Sequence, residues 1–131
     1  MSLNYVMIGS NDVVRARAYF DGVLPLIGGE VIMDFMPHGF CYQMRNGGRL
    51  WITQPHNQEP ATPGNGNMVG LLCDSEAEVQ TAHSAALARG GTNEGDPGPR
   101  PQYGPHFYGA YVRDLDGNKM SFVYFGITTS S

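Results

Sequence analysis

Apolar positions along the chain follow one pattern that is written twice. Ala16, Tyr19, Phe20, Val23 and Leu24 recur at i, i+3, i+4, i+7 and i+8, one face of a helix that starts after Asn11 and stops at Pro25 and Gly28-Gly29. Val79, Ala82, His83, Ala86 and Leu87 repeat that face in a second helix ahead of Gly90-Gly91. Ser75 followed by Glu78 predicts its start as a capping box, in which each side chain accepts from a free backbone N–H. Strand-like openings at 4–8 and 67–71 precede the helices. Runs at 31–36, 40–45, 50–54, 107–113 and 120–125 predict further strands, divided by hairpin-type turns at Pro37-His38-Gly39, Asn46-Gly47-Gly48 and Asp116-Gly117.

Each half thus reads β, α, then a meander of two or three strands. Tyr5 matches Met68 (68 − 5 = 63), Gly28 matches Gly90 (90 − 28 = 62) and Gly47 matches Gly117 (117 − 47 = 70). The longer last offset predicts an insertion in the second half, at 95–101. The Pro-, Gly-, Asn- and Gln-rich stretch after Pro55 reads as a linker between modules. The expected organisation is one domain over 1–131, with module one at 1–55, a linker at 56–66 and module two at 67–126.

Composition narrows the function. At 131 residues, each half alone would bury a marginal core, so the halves are expected to complete each other within the chain or across a dimer. A net charge of −4 with eight scattered Lys and Arg argues against a nucleic-acid partner. No apolar run approaches the roughly 18–20 residues that span a bilayer. No basic region followed by an apolar stretch opens the chain, so a cytoplasmic protein without a membrane partner is expected. Cys41 and Cys73 have no metal or redox spacing and read as buried free thiols. Nucleophile-elbow and glycine-rich phosphate- or dinucleotide-binding motifs do not occur.

The stretch 97–105, Pro-Gly-Pro-Arg-Pro-Gln-Tyr-Gly-Pro, is followed by 107–119, which ends Asp114-Leu115-Asp116-Gly117-Asn118-Lys119. In this order, after a capped helix and a Gly-Gly stop, the sequence resembles the vicinal oxygen chelate superfamily of glyoxalase I, bleomycin-resistance proteins and extradiol dioxygenases, over nearly the whole chain. The resemblance implies an α+β fold of two paired βαβββ modules. They would form a cup-shaped, half-open mixed sheet with helices packed outside. Metal-dependent members carry four ligands, one on the first and one on the last strand of each module. Carried across, those positions are Tyr5, Trp51, Met68 and Ser121, and the repeat agrees, since 121 − 51 = 70. None is a good hard-metal ligand, so no metal and no other cofactor is expected.

Among single residues, Trp51 has Leu50 and Ile52 on the opposite sheet face by alternation; the resemblance places its side chain in the cup, where it would stack on a planar ligand, with core filling as the competing explanation. Tyr5, Met7, Met44 and Met68 would add an adaptable apolar lining, with ordinary packing as the competing explanation. Arg100, set among prolines, is a candidate two-point clamp for an anion or a loop anchor, and Tyr103 lies just beyond. Tyr108 shares a face with Ala110 and Val112, while Tyr111 shares the other with Phe107, Gly109 and Arg113; the family pattern favours Tyr108 as cup-facing. His106, entering that strand, is the best acid/base candidate, ahead of His83 on the apolar helix face and His38 and His56 in turn and linker. The expected function is binding of a small organic molecule without the usual metal, in a homodimer. The alternative is a glyoxalase-type lyase or isomerase, metal-independent or with a displaced metal site, using His106 or Tyr108 for proton transfer.

Overall fold

The computed structural model describes residues 2–126. The first half runs β1 (Tyr5–Gly9), α1 (Val13–Asp21), β2 (Glu30–Asp34), β3 (Gly39–Gln43) and β4 (Arg49–Thr53). The second runs β5 (Val69–Leu72), α2 (Glu76–Ala88), β6 (Thr92–Pro99), β7 (Tyr108–Arg113) and β8 (Lys119–Tyr124). Each forms a four-stranded sheet, ordered β1-β4-β3-β2 and β5-β8-β7-β6. In both, the helix crosses from the first strand to the far edge of the sheet, β1 to β2 and β5 to β6, and the meander returns the last strand beside the first. Thus β1 pairs with β4 and β5 with β8 in parallel, and the remaining pairs are antiparallel. The fold is therefore α+β, two βαβββ modules whose sheets remain open.

Alternation along the strands divides each sheet into a helix-packed face and an open one. Leu50 and Ile52 on β4, and Met120 and Phe122 on β8, are buried against Ala16, Tyr19 and Phe20 of α1 and Val79, Ala82 and Ala86 of α2 in one cluster spanning both halves. Full burial of such a large apolar side chain contributes about 1.5–3 kcal/mol. The two halves share this core. No described helix is long and apolar enough to cross a membrane.

Three local expectations need correction. The first helix ends at Asp21, and Val23 and Leu24 are buried through a following 3-10 turn, Leu24–Ile27. Pro25 has no N–H for the next α-helical bond, so the ladder cannot pass it. At the second helix, Ser75 Oγ accepts from Glu78 N at 3.1 Å, but Glu78 accepts from Asp74 N at 2.8 Å rather than from Ser75. Arg45 draws the Glu78 carboxylate aside, with Nη2 donating at 2.8 Å and Nε lying 3.3 Å from Asp74. Lastly, most of the expected insertion is strand: 95–99 belong to β6, which pairs with β7 through two register shifts, Asn93/Gly95 and Gly95/Gly98. As an edge strand with bulges, β6 accommodates prolines that a central strand would reject.

The two halves are also latched by polar contacts. Asp114 accepts from the backbone N–H of Asp116 and Asn118, and Asn118 Nδ2 donates to Asp114 Oδ2 and to the Gly9 carbonyl, each at 3.0 Å. Burial raises the Asp114 carboxyl above the usual range despite these donors. Asn11 holds the linker at Ala61 from both sides.

Candidate functional site

The open face of the second sheet carries the candidate site. On β7, Ala110 and Val112 are fully buried towards α2, and Tyr108 lies with them, its hydroxyl accepting from Gln80 Nε2 at 2.8 Å. Tyr108 therefore belongs to the helix-packed face, and Tyr111 is the tyrosine that faces outward; the expectation is reversed. The burial of Ala110 and Val112 beneath α2 fixes this choice, and on α2 His83 lies 3.2 Å from the Tyr111 carbonyl and 3.1 Å from Asn93 Oδ1. Both are acceptors, so His83 Nε2 carries the proton and the residue is a satisfied core histidine.

A cleft of about 570 Å³ opens beside Tyr111, bordered by Met68, Tyr103, Phe107, Phe125, Arg100 and Lys119, among others. Phe107 meets Tyr103 and Phe125 edge-on, each with ring centroids 5.3 Å apart. Glycine makes room for these rings. A Cβ at Gly109 would stand 2.9 Å from Phe107, and one at Gly95 would stand 2.9 Å from the Tyr111 ring and 3.3 Å from Arg100 Nη2. Gly95, which reads as a loop residue in sequence, and Gly109 within its strand thus make a bed for aromatic and guanidinium planes.

Arg100 is anchored. Its Nη1 donates to the carbonyls of Gly98 at 2.9 Å and Pro99 at 3.3 Å, and Nη2 donates to that of Asp96 at 2.7 Å. Three of its five N–H groups are engaged, so the freely presented two-point clamp is replaced by a fixed charge. Its Cζ lies 5.4 Å from the Tyr111 centroid, and Lys119 Nζ lies 5.8 Å from the same centroid. Glu94 sits between Lys119, at 4.0 Å, and Arg113, at 3.5 Å.

The other candidates are distributed. Trp51 does share the open face of the first sheet with Met7, its register partner, and its ring stacks on Phe35 at 6.0 Å and 14°. Tyr5 and Met44 border a groove of about 420 Å³ between the edges of β1 and β5, in which Tyr5 is the one aromatic side chain and Arg45 and Arg49 also take part. Met7 and Met68 meet at a third cavity of about 460 Å³, which Lys119 also borders. Ser121 is buried in register with Tyr111 and Gly70. His106 is exposed in the turn before β7, packed against Gly126, and does not line the cleft. The structure thus gathers Met68, Arg100 and Tyr103, selects Tyr111 and Phe107, the face weighed against Tyr108, and adds Lys119 and Phe125, which were not among the candidates. Their signal was parity: if Ser121 lies on the open face, Lys119 two residues earlier does too.

The donor set does not fit a metal. Tyr5, Trp51, Met68 and Ser121 supply no imidazole or carboxylate. Among the described residues, no three His, Cys, Asp or Glu come together as a possible metal site. Burial pushes the Cys73 thiol up to about 12 and raises Cys41, so neither is a nucleophile near neutrality.

No family model and no curated protein matches the sequence. Solved structures do. The chain is 32% identical to a glyoxalase/bleomycin resistance protein from Albidiferax ferrireducens, over 95% of this chain and 98% of that one, with a TM-score of 0.83. At 19% identity, a glyoxalase/bleomycin resistance protein/dioxygenase family enzyme from Burkholderia phytofirmans shares the fold, with a TM-score of 0.73 over 95% of this chain and 99% of that one. So does lactoylglutathione lyase from Agrobacterium tumefaciens, at 17% identity and a TM-score of 0.65 over 94% and 92%. With two βαβββ modules in this order and a relative of that identity along almost its whole length, the chain belongs to the glyoxalase/bleomycin resistance protein family.

Proposed function

We propose that this protein binds a small, partly aromatic organic molecule on the open face of its second sheet, without a metal, and that it does so as a homodimer. The observation that carries this reading is the cleft beside Tyr111, where four aromatic rings, its own among them, and a thioether border a space of drug-sized volume. The lyase or isomerase alternative has less support. His106 and Tyr108, its proton-transfer candidates, lie outside the cleft.

The test is calorimetric titration of the chelator-dialysed full chain with two-ring aromatic probes of different charge, followed by a product assay on any that bind. At least one probe should bind without added metal and leave unchanged. Phe107→Ala should weaken that binding about tenfold or more, since it removes most of one large apolar contact. Binding that appears only after Ni²⁺ or Zn²⁺ is restored overturns the metal-free reading, and turnover of a bound probe restores the enzyme alternative.

A further inference from the structure

We infer that the cleft selects anionic aromatic molecules, with Lys119 as the residue that confers the selection. This rests on the binding reading above and goes beyond it by naming the ligand's charge. Arg100 Cζ and Lys119 Nζ lie 5.4 and 5.8 Å from the centroid of one ring, Tyr111, at the cleft wall. Both border the open space together with the apolar edges of Phe107 and Phe125. A ring can attract each cation, but two like charges gathered at one ring repel, and a ligand anion between them relieves that repulsion.

The surrounding charges leave room for such an anion. Arg100 has backbone carbonyls as its hydrogen-bond acceptors, so its positive charge is oriented without being neutralised. Glu94 is shared by Arg113 at 3.5 Å and Lys119 at a long 4.0 Å. The Asp96 carboxylate accepts from Asn93 Nδ2 at 2.7 Å. Three cations thus face two carboxylates, and Lys119, on a flexible stem with a weak partner, is the one free to turn towards a ligand. Arg100 supplies a preformed charge, which costs no ordering entropy on binding.

The experiment compares 2-naphthoate, 2-naphthamide and 2-naphthylmethylammonium, which share the ring system and differ in charge. Calorimetry on the full chain should rank naphthoate tightest, by about tenfold over the amide, with the ammonium weakest. Lys119→Met should bring naphthoate to within about threefold of the amide while leaving the amide itself nearly unchanged, and Glu94→Gln should tighten naphthoate. Raising salt from about 0.05 to 0.5 M should weaken naphthoate alone. Circular dichroism of each variant reports whether the fold is kept, and Lys119→Gln serves as the second variant if Lys119→Met is not. Equal affinities for naphthoate and amide, or a preference untouched by either Lys119 change, overturn the charge inference while leaving the binding reading in place. If none of the three probes binds, or if Phe107→Ala changes no affinity, both are overturned.

Discussion

Tyr108 and Tyr111 sit three residues apart on one strand, and alternation gives them unrelated roles. Tyr108 lies with Ala110 and Val112 beneath α2, tied to Gln80 through a partly exposed hydrogen bond, whereas Tyr111 is a wall of the cleft. Tyr108→Phe should therefore lower the unfolding free energy by only about 0.5–1 kcal/mol, as expected for one hydrogen bond near solvent. It should leave naphthoate affinity within about twofold, while Tyr111→Leu weakens it about tenfold by removing the ring that orders both cations. Urea melts and calorimetry on the two variants check this, and equal losses of affinity would return Tyr108 to the site. Trp51 could be placed from sequence because its neighbours Leu50 and Ile52 are plainly apolar, so the third face position had to look outward. Strand β7 gives no such contrast: tyrosine, glycine, alanine and valine alternate with little polarity difference, and only the packing of α2 decides the faces. For Arg100 the sequence left clamp and anchor open, and the backbone carbonyls of the preceding strand decide for the anchor.

Among the elements, α2 shows how one charged contact between halves is superimposed on a local cap. Ser75 caps the helix as its sequence predicts, but the Glu78 carboxylate is held between the Asp74 N–H and the Arg45 guanidinium from the β3–β4 connection. Arg45 lowers the Glu78 carboxyl below the usual glutamate range, the Asp74 N–H adding to it. A depressed folded-state value means that the stabilisation is present above the unfolded-state pKa and is lost as pH falls through the folded one. Glu78→Gln should thus cost about 1 kcal/mol near neutral pH, a partly exposed pair with good geometry. The difference from the parent should shrink as pH falls below the ordinary glutamate range and vanish once the depressed folded-state carboxyl is itself protonated. Urea midpoints of parent and variant across that interval test it; a cost that persists unchanged at the acid end would assign the effect to packing instead. The helix start was readable because Ser75 and Glu78 are neighbours in sequence. Arg45 was not, because 33 residues separate it from Glu78. Strand β6 was missed for a related reason. Its glycines and prolines signal loop locally, and only the pairing offered by β7 draws them into a bulged edge.

For the molecule as a whole, the repeat explains why so much apolar surface remains uncovered. Both helices are consumed in the core that the halves share, which leaves both sheets with an open face. Phe35 is 59% exposed, Tyr5 53%, Met7 52% and Met68 51%, and these side chains extend from the face of the first sheet to the margin of the cleft. Apolar surface of this kind, contiguous and rimmed by polar groups, is characteristic of association rather than of a free monomer. The homodimer proposed above would cover it with a second copy, since a two-fold contact can apply the same face to itself. The expected outcome is a homodimer in sedimentation equilibrium at about 10 μM, with a melting temperature that rises with protein concentration, as mass action requires. Met7→Lys and Phe35→Lys place charge on that face without touching the buried cluster, so each should shift the protein towards monomer while far-ultraviolet dichroism stays native. Should the parent chain sediment as a monomer with a concentration-independent melting temperature, the open faces are not a self-association surface. Should the monomeric variants keep full naphthoate affinity, the cleft beside Tyr111 is complete within one chain.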